Sequence, residues 1–243
     1  LVSFAFLALC ALASFGAKPK YVAYLFSYFT GNDPEQEQIC YALSDDGWNY
    51  TPLNDGLPVI SSDTIALKKA VRDPHILRGE DGYFYQVITD MASSQGWSSN
   101  RGMVLMRSRD LISWEHHAIH FPDRYKGTMF EHVLRVWAPQ TVYDKEAGKY
   151  MVYFSILTDD GSCPYDRVYY CYANADFSDF EGEPQLLFDV NYAAIDTDIV
   201  CDDEGIYHIF FKTEGQHQKG VKQFLAKTLH NSADWEFLPG FCQ

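Results

Sequence analysis

Two aspartates recur at one register of a repeated segment. Arg72-Asp73-Pro74-His75-Ile76-Leu77 is followed, nine residues after the aspartate, by the glycine of Asp81-Gly82-Tyr83-Phe84-Tyr85. Ile195-Asp196-Thr197-Asp198-Ile199-Val200 leads at the same interval to Glu204-Gly205-Ile206-Tyr207. Between them, Trp137-Ala138-Pro139-Gln140-Thr141-Val142 reaches Gly148 ten residues after Ala138. Superposing the copies puts Asp73, Ala138 and Asp196 at one structural position. A lone Asp-Pro ahead of a strand is a common turn starter, so it is the recurrence that points to chemistry. Facing carboxyl groups can divide acid–base work, one activating water while another protonates a leaving oxygen.

The elements that must position these residues follow from the period. Gly82, Gly148 and Gly205 are 66 and then 57 residues apart, the size of a four-stranded propeller blade. Aromatics make up 16% of the chain and fall in alternating runs suited to strands. Tyr21–Phe29 and Ile39–Ser44 form a hairpin, and the latter matches the later third strands at 103–110, 168–176 and 224–229. Trp48, Trp114, Phe180 and Trp235 close these segments and are expected to pack between blades. The fold class is therefore all-β: a five-bladed propeller over 18–243, incomplete in this chain, with an N-terminal partial blade plus three whole blades and an end before the fourth-blade inner strand.

In such a ring the inner-strand starts and the turns between second and third strands open on one face. Asp73 and Asp196 would be joined there by Trp137 and by Asp90, Trp97, Asn100, Arg101, Asp159, Asp160 and Glu214. Carboxylates over an aromatic floor suit glycoside cleavage. Arg72, Trp97, Asn100, Arg135, Trp137 and Glu214 are the candidate substrate-binding residues, and Arg72 or Arg135 would favour the ionised base if either reaches it. Glu181-Gly182-Glu183-Pro184 reads as a solvated turn, and Asn32-Asp33-Pro34 as a hairpin tip.

The formal charge of −14, from 33 acidic against 19 scattered basic residues, excludes a phosphate backbone as natural partner. A neutral oligo- or polysaccharide is compatible with it. Residues 1–17 form an uncharged apolar run with Ala11-Leu12-Ala13 as a cleavage signal. They read as part of a secretory leader, too short for a membrane span. The protein is expected to be secreted or periplasmic and monomeric, with Leu7-Ala8-Leu9-Cys10 only half resembling a lipoprotein signal. The six cysteines show no metal spacing and read as small buried apolar residues rather than a disulfide framework. Adjacent His116 and His117 make no ligand pair, so neither metal nor cofactor is expected.

Arg72-Asp73-Pro74-His75-Ile76, Val136-Trp137-Ala138-Pro139-Gln140 and Ala194-Ile195-Asp196-Thr197-Asp198 resemble, in order and spacing, the first three blade motifs of glycoside hydrolase family 43. The arabinofuranosidase-like branch also has a hairpin like Tyr24-Leu25-Phe26. The resemblance spans Tyr21 to Phe237. It implies an inverting hydrolase of arabinofuranosyl or xylosyl linkages in plant polysaccharides. Asp73 would be the general base, and Asp196 the carboxylate that tunes and orients the acid. The family's acid is a Glu opening the fourth blade's inner strand, expected beyond residue 243, so this fragment alone is expected to be inactive. A non-catalytic sugar-binding propeller and a retaining β-fructosidase using Asp33 are the alternatives.

Overall fold

A computed structural model describes residues 21–215 and 219–240. The proposed leader, Cys10 and Cys242 lie outside the described residues. The chain is an all-β propeller of four sheets. The first holds β1 (Tyr24–Tyr28), β2 (Cys40–Ser44) and β3 (Thr51–Pro52). The second holds β4 (Val71–Arg78), β5 (Phe84–Asp90), β6 (Gly102–Ser108) and β7 (Glu115–His120). The third holds β8 (Val133–Asp144), β9 (Lys149–Thr158), β10 (Arg167–Ala173) and β11 (Phe180–Phe188). The fourth holds β12 (Ala194–Cys201), β13 (Tyr207–Thr213), β14 (Gly220–Ala226) and β15 (Glu236–Leu238). Neighbours pair antiparallel in chain order within every sheet. Among the described residues helix is confined to single turns.

The apolar runs are explained by burial on both faces. Along β9, Met151 and Tyr153 enter the core shared with the fourth sheet, whereas Val152, Phe154 and Ile156 enter the core shared with the second. Along β6, Val104 and Met106 face the first sheet while Met103 and Leu105 face the third. Side chains that alternate by two thus serve two cores in turn, and a strand clamped this way tolerates no slip of register.

The turns after the third strands also repeat. Ser44 Oγ accepts from Gly47 N, and Asp46 Oδ1 accepts from Trp48 N and Asn49 N. Ser108 and Asp110 do the same for Leu111 N, Ile112 N and Ser113 N. These N–H groups lower the pKa of both aspartates. Of the expected closing aromatics, Phe180 and Trp235 are buried and Trp114 packs against the first core, but Trp48 is 88% exposed. The tight turn that holds it turns its ring outward. Cys40, Cys163 and Cys171 are buried free thiols, and Cys201 is a free exposed one.

The inner strands β4, β8 and β12 each carry a register shift at the same place. Asp73, Ala138 and Asp196 sit in these bulges with φ of 49°, 46° and 52°, a left-handed conformation uncommon outside glycine. Thr141 N donates to His75 Nδ1 at 3.2 Å, and Gln140, its amide nitrogen turned to the carboxylate, donates to Asp198 Oδ1 at 2.8 Å. The residue two beyond each of the first two bulges therefore ties its sheet to the next.

Phe154 is 1% exposed between the second and third sheets, edge-on to Phe121 at 5.3 Å. Phe154→Ala is expected to cost about 3–5 kcal/mol of unfolding free energy, read from the urea midpoint at unchanged slope.

Candidate active site

The bulges deliver Asp73 and Asp196 to one cleft of about 330 Å³, lined also by Arg72, Trp97, Trp137, Lys212 and Glu214. Its aromatic wall is Trp97 edge-on to Trp137, centroids 6.5 Å apart and planes at 80°. A guanidinium lies against each ring: Arg72 is 5.3 Å from Trp97 and Arg135 is 4.0 Å from Trp137.

Asp73 accepts from Thr89 Oγ1 at 3.0 Å, and Thr89 Oγ1 in turn accepts from Ala138 N at 3.1 Å. One hydroxyl thus joins the first carboxylate to the next sheet's bulge. Burial raises the pKa of Asp73, opposed by the Thr89 hydrogen bond, reinforced by the charge of Asp196 and opposed again by Arg72. Arg72 acts in the expected direction, favouring the ionised form, but burial outweighs it, and Arg135 is committed to Asp166. Asp196 also titrates high because of its walled position, with Lys212 the first opposing influence and Glu214 adding to the rise. Half of its side chain remains open to solvent. Lys212 Nζ lies 2.7 Å from Glu214 Oε1 and 3.7 Å from Asp196 Oδ2, and it lowers the pKa of Glu214.

Arg72 is immobilised from behind. Its Nη1 donates to Glu37 Oε1 at 2.9 Å and to Asn32 Oδ1 at 2.8 Å, and its guanidinium lies 4.5 Å from the Phe29 ring. Glu37 is fully buried and also accepts from Ser93 N, anchoring the loop that carries Trp97.

Several expected positions fall elsewhere. Asn100 is fully buried and donates to Val136 O, a backbone clip between sheets rather than a cleft residue. Arg135 makes a two-pronged pair with Asp166, at 2.9 and 2.5 Å, and supports Trp137 from outside the cleft. Asp90 accepts from Leu67 N and Lys68 N and faces that loop. Asp159 lies 3.6 Å from His132, Asp160 accepts from Ser162, and both stay exposed. Asp33 is an exposed turn residue outside the cleft lining, although Asn32 reaches Arg72. Glu181 pairs with Lys149 on the outermost strand β11. Unsupported carboxylates are drawn to the nearest free N–H or cation, which periodicity cannot reveal.

Lys212, Thr89 and Glu37 escaped the sequence reading. A signal for the first two existed: Thr89, Ser155 and Lys212 each stand seven residues after Gly82, Gly148 and Gly205. They face Arg72, Trp137 and Ile195, the residues just before the bulges. Glu37 lies in an irregular stretch that no repeat covers.

Over residues 19–240 the chain matches the model of a family related to glycoside hydrolase family 43 and described as a probable glycosyl hydrolase domain. The chain belongs to that family. It is 29% identical over 205 residues to an alpha-L-arabinofuranosidase of Bifidobacterium longum, a match covering 75% of this chain and 18% of that protein. A xylan beta-1,4-xylosidase from Bacillus halodurans superposes with a TM-score of 0.62 at 13% identity, covering 92% of this chain and 41% of that one. An endo-arabinase from Bacteroides thetaiotaomicron gives 0.62 at 15%, covering 91% and 77%. At these identities the solved structures share the fold. The chain spans less than half the length of the arabinofuranosidase and of the xylosidase.

Glu37→Ala would strand the Arg72 charge, and it is expected to cost about 3–5 kcal/mol by chemical denaturation, with Glu37→Gln costing less. A raised pKa at Asp73 means that its ionised form opposes folding above that pKa. The opposition is absent below the ordinary value near 4. Asp73→Asn should therefore unfold at higher urea than the parent chain at pH 8 and at the same urea at pH 3.

Proposed function

We propose that the protein is an inverting glycoside hydrolase releasing arabinofuranosyl or xylosyl units from plant cell-wall polysaccharides. The observation that carries this reading is the opening of Asp73 and Asp196, from equivalent bulges, onto one tryptophan-walled cleft. Asp73, hydrogen-bonded to a neutral donor and close to Asp196, accepts a proton from the water that attacks the anomeric carbon. Asp196 stays anionic and orients the proton donor. Trp97 and Trp137 stack against the sugar, and Glu214, kept ionised by Lys212, accepts from its hydroxyls rather than protonating the leaving oxygen. The named activities of the arabinofuranosidase, xylosidase and arabinase relatives support a pentose substrate.

The four sheets are read as part of a five-bladed ring, with the donor Glu on the inner strand of the remaining sheet. Two open faces support this. On the first sheet Tyr24 and Phe26 are exposed and Phe26 stacks on Tyr28, opposite the Leu25 face that packs inward. On the fourth, Val200 and Val221 are exposed opposite residues that enter its core. A leader at 1–17, export from the cytoplasm and action as a monomer complete the reading. No helix among the described residues is long and apolar enough to cross a membrane. Nor do those residues gather three His, Cys, Asp or Glu side chains placed to hold a metal.

In the full-length protein, Asp73→Asn should lower kcat/KM on aryl arabinofuranosides or xylosides by about 10²–10⁴, with inversion at the anomeric carbon seen by NMR. Wild-type turnover by this variant would sink the assignment. Sugar binding without turnover by the parent would favour the binding-module reading.

A further inference from the structure

We propose that Lys212 is the positioning residue of the cleft, a cation on the second strand that holds Asp196 ionised and oriented. The inference deepens the hydrolytic reading and rests on it for its functional consequence, though the charge relation itself is independent of turnover.

The repeats share one position on their second strands. Opposite each bulge, the second strand places a side chain suited to the bulge residue. Against Asp73 it is Thr89, a neutral donor at 3.0 Å. In the sheet whose bulge holds Ala138 it is Ser155, which turns away and donates to Ala194 O at 3.1 Å. Against Asp196 it is Lys212, 3.7 Å from the carboxylate. The position holds a cation only where the bulge carboxylate is half open to solvent and has a second carboxylate, Glu214, beside it.

The surrounding charges leave Asp196 dependent on this lysine. From β13 it is faced by Lys212 and by Glu214 at the strand's end. From the loop before β10 it is faced by Asp166, which Arg135 already pairs with. Across the cleft stands Asp73, with Arg72 behind it bound to buried Glu37. Lys219, on the returning loop, acts on Glu214. Among these, Lys212 is the cation in contact with Asp196. Its two carboxylate neighbours raise its own pKa, so it remains protonated through the neutral range. An anionic Asp196 then raises the pKa of a proton-donating carboxyl placed opposite it, while Asp73, hydrogen-bonded to Thr89, serves as the base.

The test is ¹³C NMR titration of the Asp196 carboxyl in the parent chain and in Lys212→Met, Lys212→Gln and Lys212→Arg. Loss of an opposite charge at this distance should move the midpoint up by about one unit in the Met and Gln variants, with the Arg variant restoring it. Lys212 is about half exposed and lies outside the packed cores, so the variants should retain the fold, checked by far-UV circular dichroism. In the full-length enzyme the acidic limb of the kcat/KM profile should shift with the midpoint, at a KM changed less than kcat. An unmoved midpoint in both neutral variants overturns the proposal whatever the turnover. A moved midpoint in a protein without hydrolysis supports the charge role and overturns the hydrolytic reading instead.

Discussion

A slip of register at the head of each inner strand is the constraint on which the site depends. Without it, strict alternation would send the residues at positions 73 and 196 into one of the cores between sheets, where an ionised carboxylate costs several kcal/mol. The bulge lifts each out of the alternation and into the central cleft. Its left-handed backbone costs about 1–2 kcal/mol per non-glycine residue, and aspartate tolerates it better than most. Ala138 adopts the same φ with no carboxylate to present. The strain therefore belongs to the blade architecture, and two of its three copies present a carboxylate to the cleft.

What keeps the bulges in place is the pairing of each inner strand with the second strand of its sheet and the cores packed against those sheets. Beside Asp73, β5 feeds Tyr85 and Val87 into one core and Ile88 into another, so that a shift by one residue would exchange the contents of both. Beside Asp196, Ala194, Ile199, Ile209 and Phe211 enter a single core, and a shift would turn them outward. Hydrogen bonds between sheets, from Ala138 N to Thr89 and from Ser155 to Ala194 O, then lock one blade's bulge region to its neighbour. The cleft is rigid because it is the meeting point of three separately packed interfaces.

Its electrostatics are unequal by construction. Asp73 is recessed, with a neutral hydroxyl for its nearest partner, whereas Asp196 is half open and faces an ammonium. Arg72 is held by Glu37, Asn32 and two aromatic rings, so it shapes the wall beside Asp73 more than it neutralises it. The tryptophans are fixed by cations that are themselves fixed, leaving little side-chain entropy to lose when a ring system stacks on them.

The repeat period, the all-β character and the shared register of Asp73, Ala138 and Asp196 were legible in the residues, because a blade imposes the same alternation and the same tight glycine turn each time it is built. The register alone even marks Thr89, Ser155 and Lys212 as equivalents. Which polar side chains reach the cleft was not legible. Asn100, Asp90 and Arg135 sit close to it in sequence yet are claimed by a backbone carbonyl, two loop amides and Asp166, while Glu37 arrives from an irregular loop to hold Arg72. Periodicity decides where a side chain starts, since that is a property of the local backbone. Only the tertiary structure decides where it ends, because a polar group goes to whichever partner the folding of distant segments brings within hydrogen-bonding reach.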